Sequence, residues 1–186
     1  MATARIPEPA PAHLRPSRFS HLVIRSPRFQ EMVRWYETVL SAKPTFENEL
    51  VCFLTYDEEH HRVMIASDPR ATPRDPKAAG LVHFAYAVES LDDLVNAYLR
   101  LKAEGIVPHE CVNHGFTTSF YYLDPDGNEV ELQVDNFPTR EAANAWFATG
   151  AFDRNFFGHR FDPEYVVRRH LEGASHDDIV LRETYR

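Results

Sequence analysis

The sequence predicts an α+β fold in which two paired βαβββ modules form a curved mixed sheet and a helical extension follows them. Three observations lead to this prediction. The chain contains an internal repeat, each repeat joins strand and helix patterns in the same order, and the region after the second repeat contains helix caps instead. At 186 residues, 44% of them hydrophobic, the chain is long enough for two small modules that share a core.

Each repeat begins with a short apolar strand that carries a histidine. FSHLVIRS begins at Phe19 and contains His21, and LVHFAYAVES begins at Leu81 and contains His83. Apolar residues at helical spacing follow each strand. The second helix has Ser90 as a suitable N-cap, with an acidic residue three positions later. The two histidines therefore occupy equivalent positions in the two repeats.

Each repeat ends in a pair of strands, and the two copies align there without a gap. FLTYDEEHHRVMIA begins at Phe53 and FYYLDPDGNEVELQ begins at Phe120. This alignment makes Met64 and Glu131 equivalent. In DPDGNEVELQV apolar and polar residues alternate, so one strand face carries Glu129 and Glu131. A face turned to water is the ordinary interpretation of such a pattern.

The repeat and the segments around it predict five regions along the chain. In the last region, Thr139 is the predicted N-cap of one helix, and Asp162, followed by Pro163, is the predicted N-cap of another. A third short helix is predicted over residues 177–183. The five regions are a proline-rich N-terminal arm (1–17), a first βαβββ module (18–68), a linker rich in proline and charge (69–79), a second βαβββ module (80–136) and a helical C-terminal extension (137–186).

Composition narrows the range of partners. The formal net charge of -8 argues against a nucleic-acid backbone or an anionic membrane as the main partner. No apolar run approaches the ~18 residues needed to cross a bilayer, and the N-terminus lacks the apolar core of a secretory signal. The two cysteines have no CxxC spacing, which fits a reduced protein. We therefore expect a cytoplasmic protein that binds neither nucleic acid nor membrane.

Equivalent positions of a duplicated fold meet around a pseudo-twofold axis, so four positions converge: His21, His83, Met64 and Glu131. Two neutral imidazoles and one carboxylate form the facial triad that non-haem Fe(II) enzymes favour, because it leaves coordination positions open for substrate and O₂. A methionine thioether is a soft ligand and a poor choice for such a metal. The sequence therefore predicts a metal cavity with His21, His83 and Glu131 as ligands, and this donor set accepts Fe(II) or Mn(II).

These residues resemble the pattern of a known family. His21, His83 and the segment DPDGNEVEL with Glu131, on paired modules, are similar to the vicinal oxygen chelate superfamily of glyoxalases and bleomycin-resistance proteins. Within it, the chain most resembles the small single-domain type I extradiol dioxygenases of the biphenyl-2,3-diol 1,2-dioxygenase kind. The resemblance covers residues 18–136 and extends to the C-terminal tail. It implies an Fe(II)-dependent oxidoreductase of aromatic catabolism that cleaves a catechol-type diol with O₂, and it favours a homodimer or higher assembly.

The resemblance also implies three catalytic residues. His61, in the HH pair of EHHRVMIA, corresponds to an acid/base, while His114 and Tyr121 correspond to groups that position and polarise the diol. Strand parity places His61 and Met64 on opposite faces, so His60 is the alternative acid/base. A loop position for His114 and core packing for Tyr121 are the ordinary interpretations of these two residues.

Two other functions stay open at this stage. A glyoxalase-like lyase or isomerase of the same fold would use four protein ligands, and Met64 in the fourth position argues against it. A metal-free module that binds a small molecule, as in resistance proteins, would often lack the ligand residues that are present here. Four aromatic residues are candidates to line an apolar pocket: Trp35, Phe116, Phe120 and Tyr122. Four more histidines have no partner pattern and are interpreted as structural or surface residues: His109, His159, His170 and His176.

Overall fold

The computed structural model describes residues 15–73, 75 and 77–180. It confirms the α+β class and the βαβββ order of both modules. The first module contains β1 (Leu22–Ser26), α1 (Phe29–Leu40), β2 (Lys43–Glu47), β3 (Val51–Thr55) and β4 (Val63–Ser67). The second contains β5 (His83–Ala87), α2 (Leu91–Ala103), β6 (Glu110–Asn113), β7 (Thr117–Leu123) and β8 (Glu129–Asp135). The extension contains α3 (Arg140–Phe147), α4 (Ala151–Arg154), β9 (His159–Arg160), α5 (Pro163–Leu171) and α6 (His176–Val180).

Hydrogen bonding divides the strands into one sheet per module. The first sheet has the order β1-β4-β3-β2, and the second has the order β5-β8-β7-β6-β9. In both, the first and last strands of the module pair in parallel. Leu22 is paired with Val63 in the first sheet, and Phe84 is paired with Val130 at the equivalent place in the second. The register is therefore the same in both modules, which confirms the repeat read from the sequence.

One helix of each module packs its apolar stripe into the core. In α1, Met32 and Tyr36 are fully buried, and in α2 the same is true of Leu94 and Leu101. Helix α2 begins at the predicted cap, where the hydroxyl of Ser90 accepts a hydrogen bond from a backbone N–H of the first turn. Burial of each of these large side chains stabilises the fold by about 1.5–3 kcal/mol. The helices therefore cover one face of the sheets and leave the other face for the site.

Helix α1 also joins the first module to the second. Tyr36 donates a hydrogen bond from its hydroxyl to Oδ2 of Asp124, 3.0 Å away in the β7–β8 turn. Its ring stacks on Phe84 of β5, with ring centroids 6.4 Å apart. At the surface, Arg28 pairs with Asp126 of the same turn at 3.0 Å. The DPDGN turn thus serves as a contact between the modules as well as a connection between strands.

The extension follows the prediction in its capped helices and departs from it at one strand. Helices α3 and α5 follow the predicted N-caps Thr139 and Asp162, whose side chains accept the expected capping hydrogen bonds. Helix α6 covers the start of the third predicted helix, and residues 1–14 and 181–186 lie outside the described residues. The unexpected strand β9 adds to the edge of β6. The five region boundaries stay predictions.

Helices in the described ranges 15–73 and 77–180 are all short. The longest of them, α2, has 13 residues, and none is long and apolar enough to cross a membrane.

Candidate functional site

Glu131 is buried on the cavity side of β8 and lies next to a histidine of the neighbouring strand. Its carboxylate oxygen Oε2 is 3.1 Å from Nε2 of His83, at the start of β5. The side chain of Glu131 is only about 5% exposed, although its polarity would suit a solvated strand face. The two predicted metal ligands of the second module, His83 and Glu131, therefore lie in contact, as the repeat predicted.

Tyr121 and His114 extend this pair into a hydrogen-bonded chain. Tyr121 is the direct neighbour of Glu131 across β7 and β8, and its hydroxyl donates to Oε1 of Glu131 at 3.1 Å. The ring nitrogen Nε2 of His114 lies 2.8 Å from the same hydroxyl. If Tyr121 donates to the carboxylate, His114 must donate its N–H to the phenol oxygen. This series of hydrogen bonds therefore fixes the tautomer of His114 as well as the position of Tyr121.

Burial sets the protonation of these two side chains. Desolvation, followed by the nearby Glu131 carboxylate, raises the pKa of Tyr121 well above its ordinary value. Desolvation lowers the pKa of His114, and the carboxylate of Glu131 opposes that shift only in part. Tyr121 is therefore a phenol that donates a proton in a hydrogen bond, and His114 favours its neutral form.

A second carboxylate lies behind His83. Glu129 is the direct neighbour of His83 in the β5–β8 register, and its Oε2 lies 3.6 Å from Nδ1 of that ring. The other oxygen of Glu129 contacts Nε2 of His109 at 2.8 Å. His109 was interpreted from the sequence as a structural or surface residue. It contacts Glu129, which in turn lies beside the predicted ligand His83. Only the parity of Glu129 with Glu131 signalled this arrangement in the sequence.

In the first module, His21 lies against His61. The two ring centroids are 4.2 Å apart, and the His61 ring also stacks on Phe53 at 4.5 Å. His61 is buried, while the side chain of His60 is 69% exposed. Desolvation, followed by the two neighbouring histidines, lowers the pKa of His61. Of the two histidines in the HH pair, His61 is therefore the one that contacts a predicted ligand.

Arg62 fixes the segment that carries His21. Its Nη1 donates hydrogen bonds to the backbone carbonyls of Phe19 and Ser20. The guanidinium is held in turn by Asp57, whose Oδ2 lies 2.9 Å from both Nε and Nη2. Since Arg62 directly follows His61, one short segment positions both histidines of the first module.

The donor set suits a divalent metal in part. Among residues 15–73, 75 and 77–180, no group of three or more His, Cys, Asp or Glu side chains is arranged to hold a metal. His83 and Glu131 lie together, whereas His21 packs against His61. A buried carboxylate is unfavourable without a compensating positive charge, and Glu131 has a phenol and an imidazole as its polar neighbours. The pair His83–Glu131 therefore fits a hard or borderline cation, and the place of His21 as third ligand stays a prediction.

A cavity of about 640 Å³ opens beside this pair. It is within the size range of small-molecule sites. Its walls come from β5 to β8 and, unexpectedly, from the C-terminal extension. The residues that line it include His83, Glu110, Val112, His114, Tyr121, Phe157 and Arg160.

Residues 18–132 match the glyoxalase/bleomycin resistance protein/dioxygenase superfamily. The chain belongs to this superfamily. It is 45% identical to biphenyl-2,3-diol 1,2-dioxygenase 2 of Rhodococcus globerulus over 88% of the chain and 86% of that protein. It is 39% identical to biphenyl-2,3-diol 1,2-dioxygenase 3 of the same organism, over 89% of the chain and 88% of the relative. The prediction that this superfamily member is an enzyme of the dioxygenase group is thereby confirmed.

Solved structures of the superfamily share the fold. A lactoylglutathione lyase from Agrobacterium tumefaciens has a TM-score of 0.52 and 19% identity, over 64% of this chain and 94% of the lyase. A glyoxalase/dioxygenase from Nostoc punctiforme has a TM-score of 0.56 and 16% identity, over 68% and 98% of the two chains. At such identities the likeness concerns the fold alone.

The interpretation of Phe120 and Tyr122 as candidates to line the pocket was wrong, because both are fully buried in the core. They flank Tyr121 on β7, and side chains alternate along a strand, so of these three residues only Tyr121 faces the cavity. His159 is exposed, in agreement with its interpretation as a structural or surface residue, and β9 also places it in the lining of the cavity. No sequence pattern signals a strand of two residues.

Proposed function

We propose that the protein is an Fe(II)-dependent extradiol dioxygenase that cleaves a catechol-type aromatic diol with O₂. The observation that carries the proposal is the contact of the half-exposed His83 with the buried carboxylate of Glu131, to which Tyr121 is hydrogen-bonded. The two biphenyl-2,3-diol 1,2-dioxygenases that match most of the chain support the reaction class. Mn(II) is the second choice of metal, since both ions accept nitrogen and oxygen donors.

The metal would be held by His21, His83 and Glu131. A ferrous ion bound there supplies the Lewis-acid and electron-transfer chemistry that ring cleavage by O₂ requires. Glu131 compensates part of the metal charge, and its hydrogen bond from Tyr121 fixes the direction of its oxygens. The carboxylate of Glu129 lies beside the other ring nitrogen of His83, Nδ1, and would hold the orientation of that ring.

The remaining residues would handle protons and position the diol. His61 is the proposed acid/base, because its lowered pKa keeps the ring neutral near pH 7 and able to accept a proton from a diol hydroxyl. Tyr121, whose pKa is raised, stays protonated and donates to a diol oxygen or to Glu131. His114 contacts the hydroxyl of Tyr121 and lines the same cavity, so it orients both the phenol and the diol.

The two other functions of the same fold are less well supported. A lyase or isomerase with four protein ligands would need a donor at Met64, which faces Val23 and Phe53 in the β-sheet register. A metal-free binding module would leave the carboxylate of Glu131 buried without a cation. Both alternatives predict no O₂ uptake with a diol.

Anaerobic loading with Fe(II), followed by oxygen-electrode traces with catechol, 3-methylcatechol and 2,3-dihydroxybiphenyl, tests the proposal. We expect yellow ring-cleavage product with matching O₂ uptake. Glu131→Ala should lose bound iron and turnover while the protein stays folded by circular dichroism. Gln133→Ala, two residues further on β8 and on the same face, is the matched control and should keep both. Stoichiometric iron in Glu131→Ala would contradict the ligand assignment, and iron without O₂ uptake in the wild type would contradict the reaction.

A further inference from the structure

The C-terminal extension lies beside the proposed catalytic residues. Residues 157–160 line the cavity of about 640 Å³ together with His83, His114 and Tyr121. These four residues follow the segment 18–132 that matches the superfamily, so they are an addition to the common fold. Strand β9 holds them against β6, where Arg160 is paired with Val112.

The register of the sheet gives the distance between Glu131, a proposed metal ligand, and the part of the cavity that the extension lines. Glu131 is paired with Tyr121, and Tyr121 is paired with Glu110, so the three lie in a row across β8, β7 and β6. Neighbouring strands are about 4.8 Å apart, so Glu110 lies roughly 10 Å from Glu131. A diol ring bound at Glu131 would therefore direct a substituent of one further ring toward Glu110 and the extension.

The charges at this end of the cavity favour a neutral substituent. The guanidinium of Arg160 forms an ion pair with Glu110, so its charge is already compensated. Glu129 adds a further carboxylate to the lining. A carboxylated diol would have to displace Glu110 from Arg160 and would be repelled by Glu129. An uncharged substituent would meet instead the side chains of Val112 and Phe157.

We propose that Phe157 and the ion pair Glu110–Arg160 determine which ring substituents the enzyme accepts. Phe157 contacts an apolar substituent, and Glu110 prevents Arg160 from binding an anionic one. This inference rests on the proposed function, because it requires that a diol binds beside Glu131. It assigns a role in substrate selection to the extension, and it makes Glu110 the residue that excludes carboxylated diols.

Anaerobic isothermal titration calorimetry of the full chain with Fe(II) tests the inference without turnover. The three ligands are catechol, 2,3-dihydroxybiphenyl and 2,3-dihydroxybenzoate. Phe157→Ala should weaken binding of 2,3-dihydroxybiphenyl by about fivefold to tenfold and leave catechol unchanged, as expected for the loss of one apolar contact. Glu110→Gln should strengthen binding of 2,3-dihydroxybenzoate by about twofold to fivefold, since the side chain of Arg160 is largely exposed, and should leave the two neutral diols unchanged.

Two variants in the same extension serve as matched controls. Leu171→Ala removes an exposed apolar side chain of α5, and Glu172→Gln removes a carboxylate that pairs with Arg169. Both should leave all three affinities as in the wild type. Thermal unfolding of every variant should agree with the wild type within a few degrees, so that a change in one affinity alone reports selection.

Equal losses for catechol and 2,3-dihydroxybiphenyl in Phe157→Ala would overturn the role of Phe157. An unchanged affinity of Glu110→Gln for 2,3-dihydroxybenzoate would overturn the role of the ion pair, and a wild type that binds no diol would overturn both. The expected affinities without O₂ uptake in the oxygen electrode would contradict the proposed reaction and leave the inference standing. Turnover of all diols with wild-type selectivity in both variants would support the proposed reaction and overturn the inference.

Discussion

The phenol of Tyr121 and the carboxylate of Glu131 are joined by a hydrogen bond of 3.1 Å between direct neighbours on β7 and β8. The same phenol oxygen lies 2.8 Å from His114. One hydroxyl therefore links the proposed metal ligand to a residue that lines the cavity. Because all three side chains are buried or half-buried, the loss of that hydroxyl has effects on both catalysis and stability.

Tyr121→Phe should lower kcat by about 10- to 100-fold, because the variant loses the donor that positions Glu131 and polarises the diol. It should also lower the free energy of unfolding by about 1–3 kcal/mol, since His114 and Glu131 each lose a buried partner. Steady-state oxygen uptake and urea unfolding measure the two effects. A kcat within twofold of the wild type would show that the hydroxyl has no catalytic role.

Tyr122→Phe is the matched control for that variant. Tyr122 is the next residue on the same strand, but its hydroxyl is buried without a hydrogen-bond partner among the described residues. Removal of an unsatisfied buried hydroxyl should leave kcat unchanged and should leave stability unchanged or raise it by up to about 1 kcal/mol. Equal losses in the two variants would mean that strand packing, rather than the hydrogen bond of Tyr121, governs activity.

The fold was predictable because it is a duplication with strong local signals. Helix caps, apolar periodicity and the gapless alignment of the closing strands fixed the elements and even the equivalence of Met64 with Glu131, which the sheet registers confirm. The convergence of His83 and Glu131 was predictable because adjacent parallel strands bring such positions together. The position of His21 beside His61 depends on a loop held by Arg62, and the wall formed by β9 depends on a strand of two residues. Neither has a periodic signal in the sequence.

Tyr36→Phe should destabilise the contact between the two modules. The hydroxyl of Tyr36 is fully buried and donates to the carboxylate of Asp124. Loss of a hydrogen bond to a charged group costs about 1.5–3 kcal/mol, and we expect the lower end because Asp124 keeps its bonds from Asp126 and Asn128. Asp126→Asn is the control: it weakens a half-exposed ion pair with Arg28 between the same modules and should cost less than about 1 kcal/mol. Urea unfolding that ranks the two variants in the opposite order would exclude this account.

Protonation of His176 should destabilise the extension at low pH. Burial lowers the pKa of His176, and its Nε2 has no hydrogen-bond partner among the described residues. Below the ordinary value of about 6.5, the unfolded chain binds a proton that the folded protein does not, so stability falls as the pH falls. His176→Gln should therefore show a shallower loss of stability between about pH 7.5 and 5.5, by at most about 1.4 kcal/mol per pH unit. His159→Gln, at an exposed histidine, is the control, and parallel curves for wild type and His176→Gln would refute the prediction.

Gly158→Ala should detach β9 from the edge of β6 and open the cavity wall. Gly158 has φ of 80°, and a Cβ there would lie 2.4 Å from the backbone oxygen of Asn113 and 2.8 Å from Val112. Neither the backbone nor the packed strand can move away at little cost in free energy. We therefore expect the free energy of unfolding to fall by more than about 2 kcal/mol. Gly173→Ala has the same φ with open space around the new Cβ, and it should cost only about 1 kcal/mol for the strained backbone.

Hydrogen exchange distinguishes local detachment of β9 from a general loss of stability. In Gly158→Ala, the backbone N–H groups that join β6 and β9 should exchange faster, while those between β7 and β8 should keep their protection. Catechol turnover should persist, because Glu131, His83 and Tyr121 lie on strands that are not hydrogen-bonded to β9. Uniformly faster exchange across the second sheet would mean instead that β9 is part of its cooperative core, and the extension would then stabilise the site as well as line it.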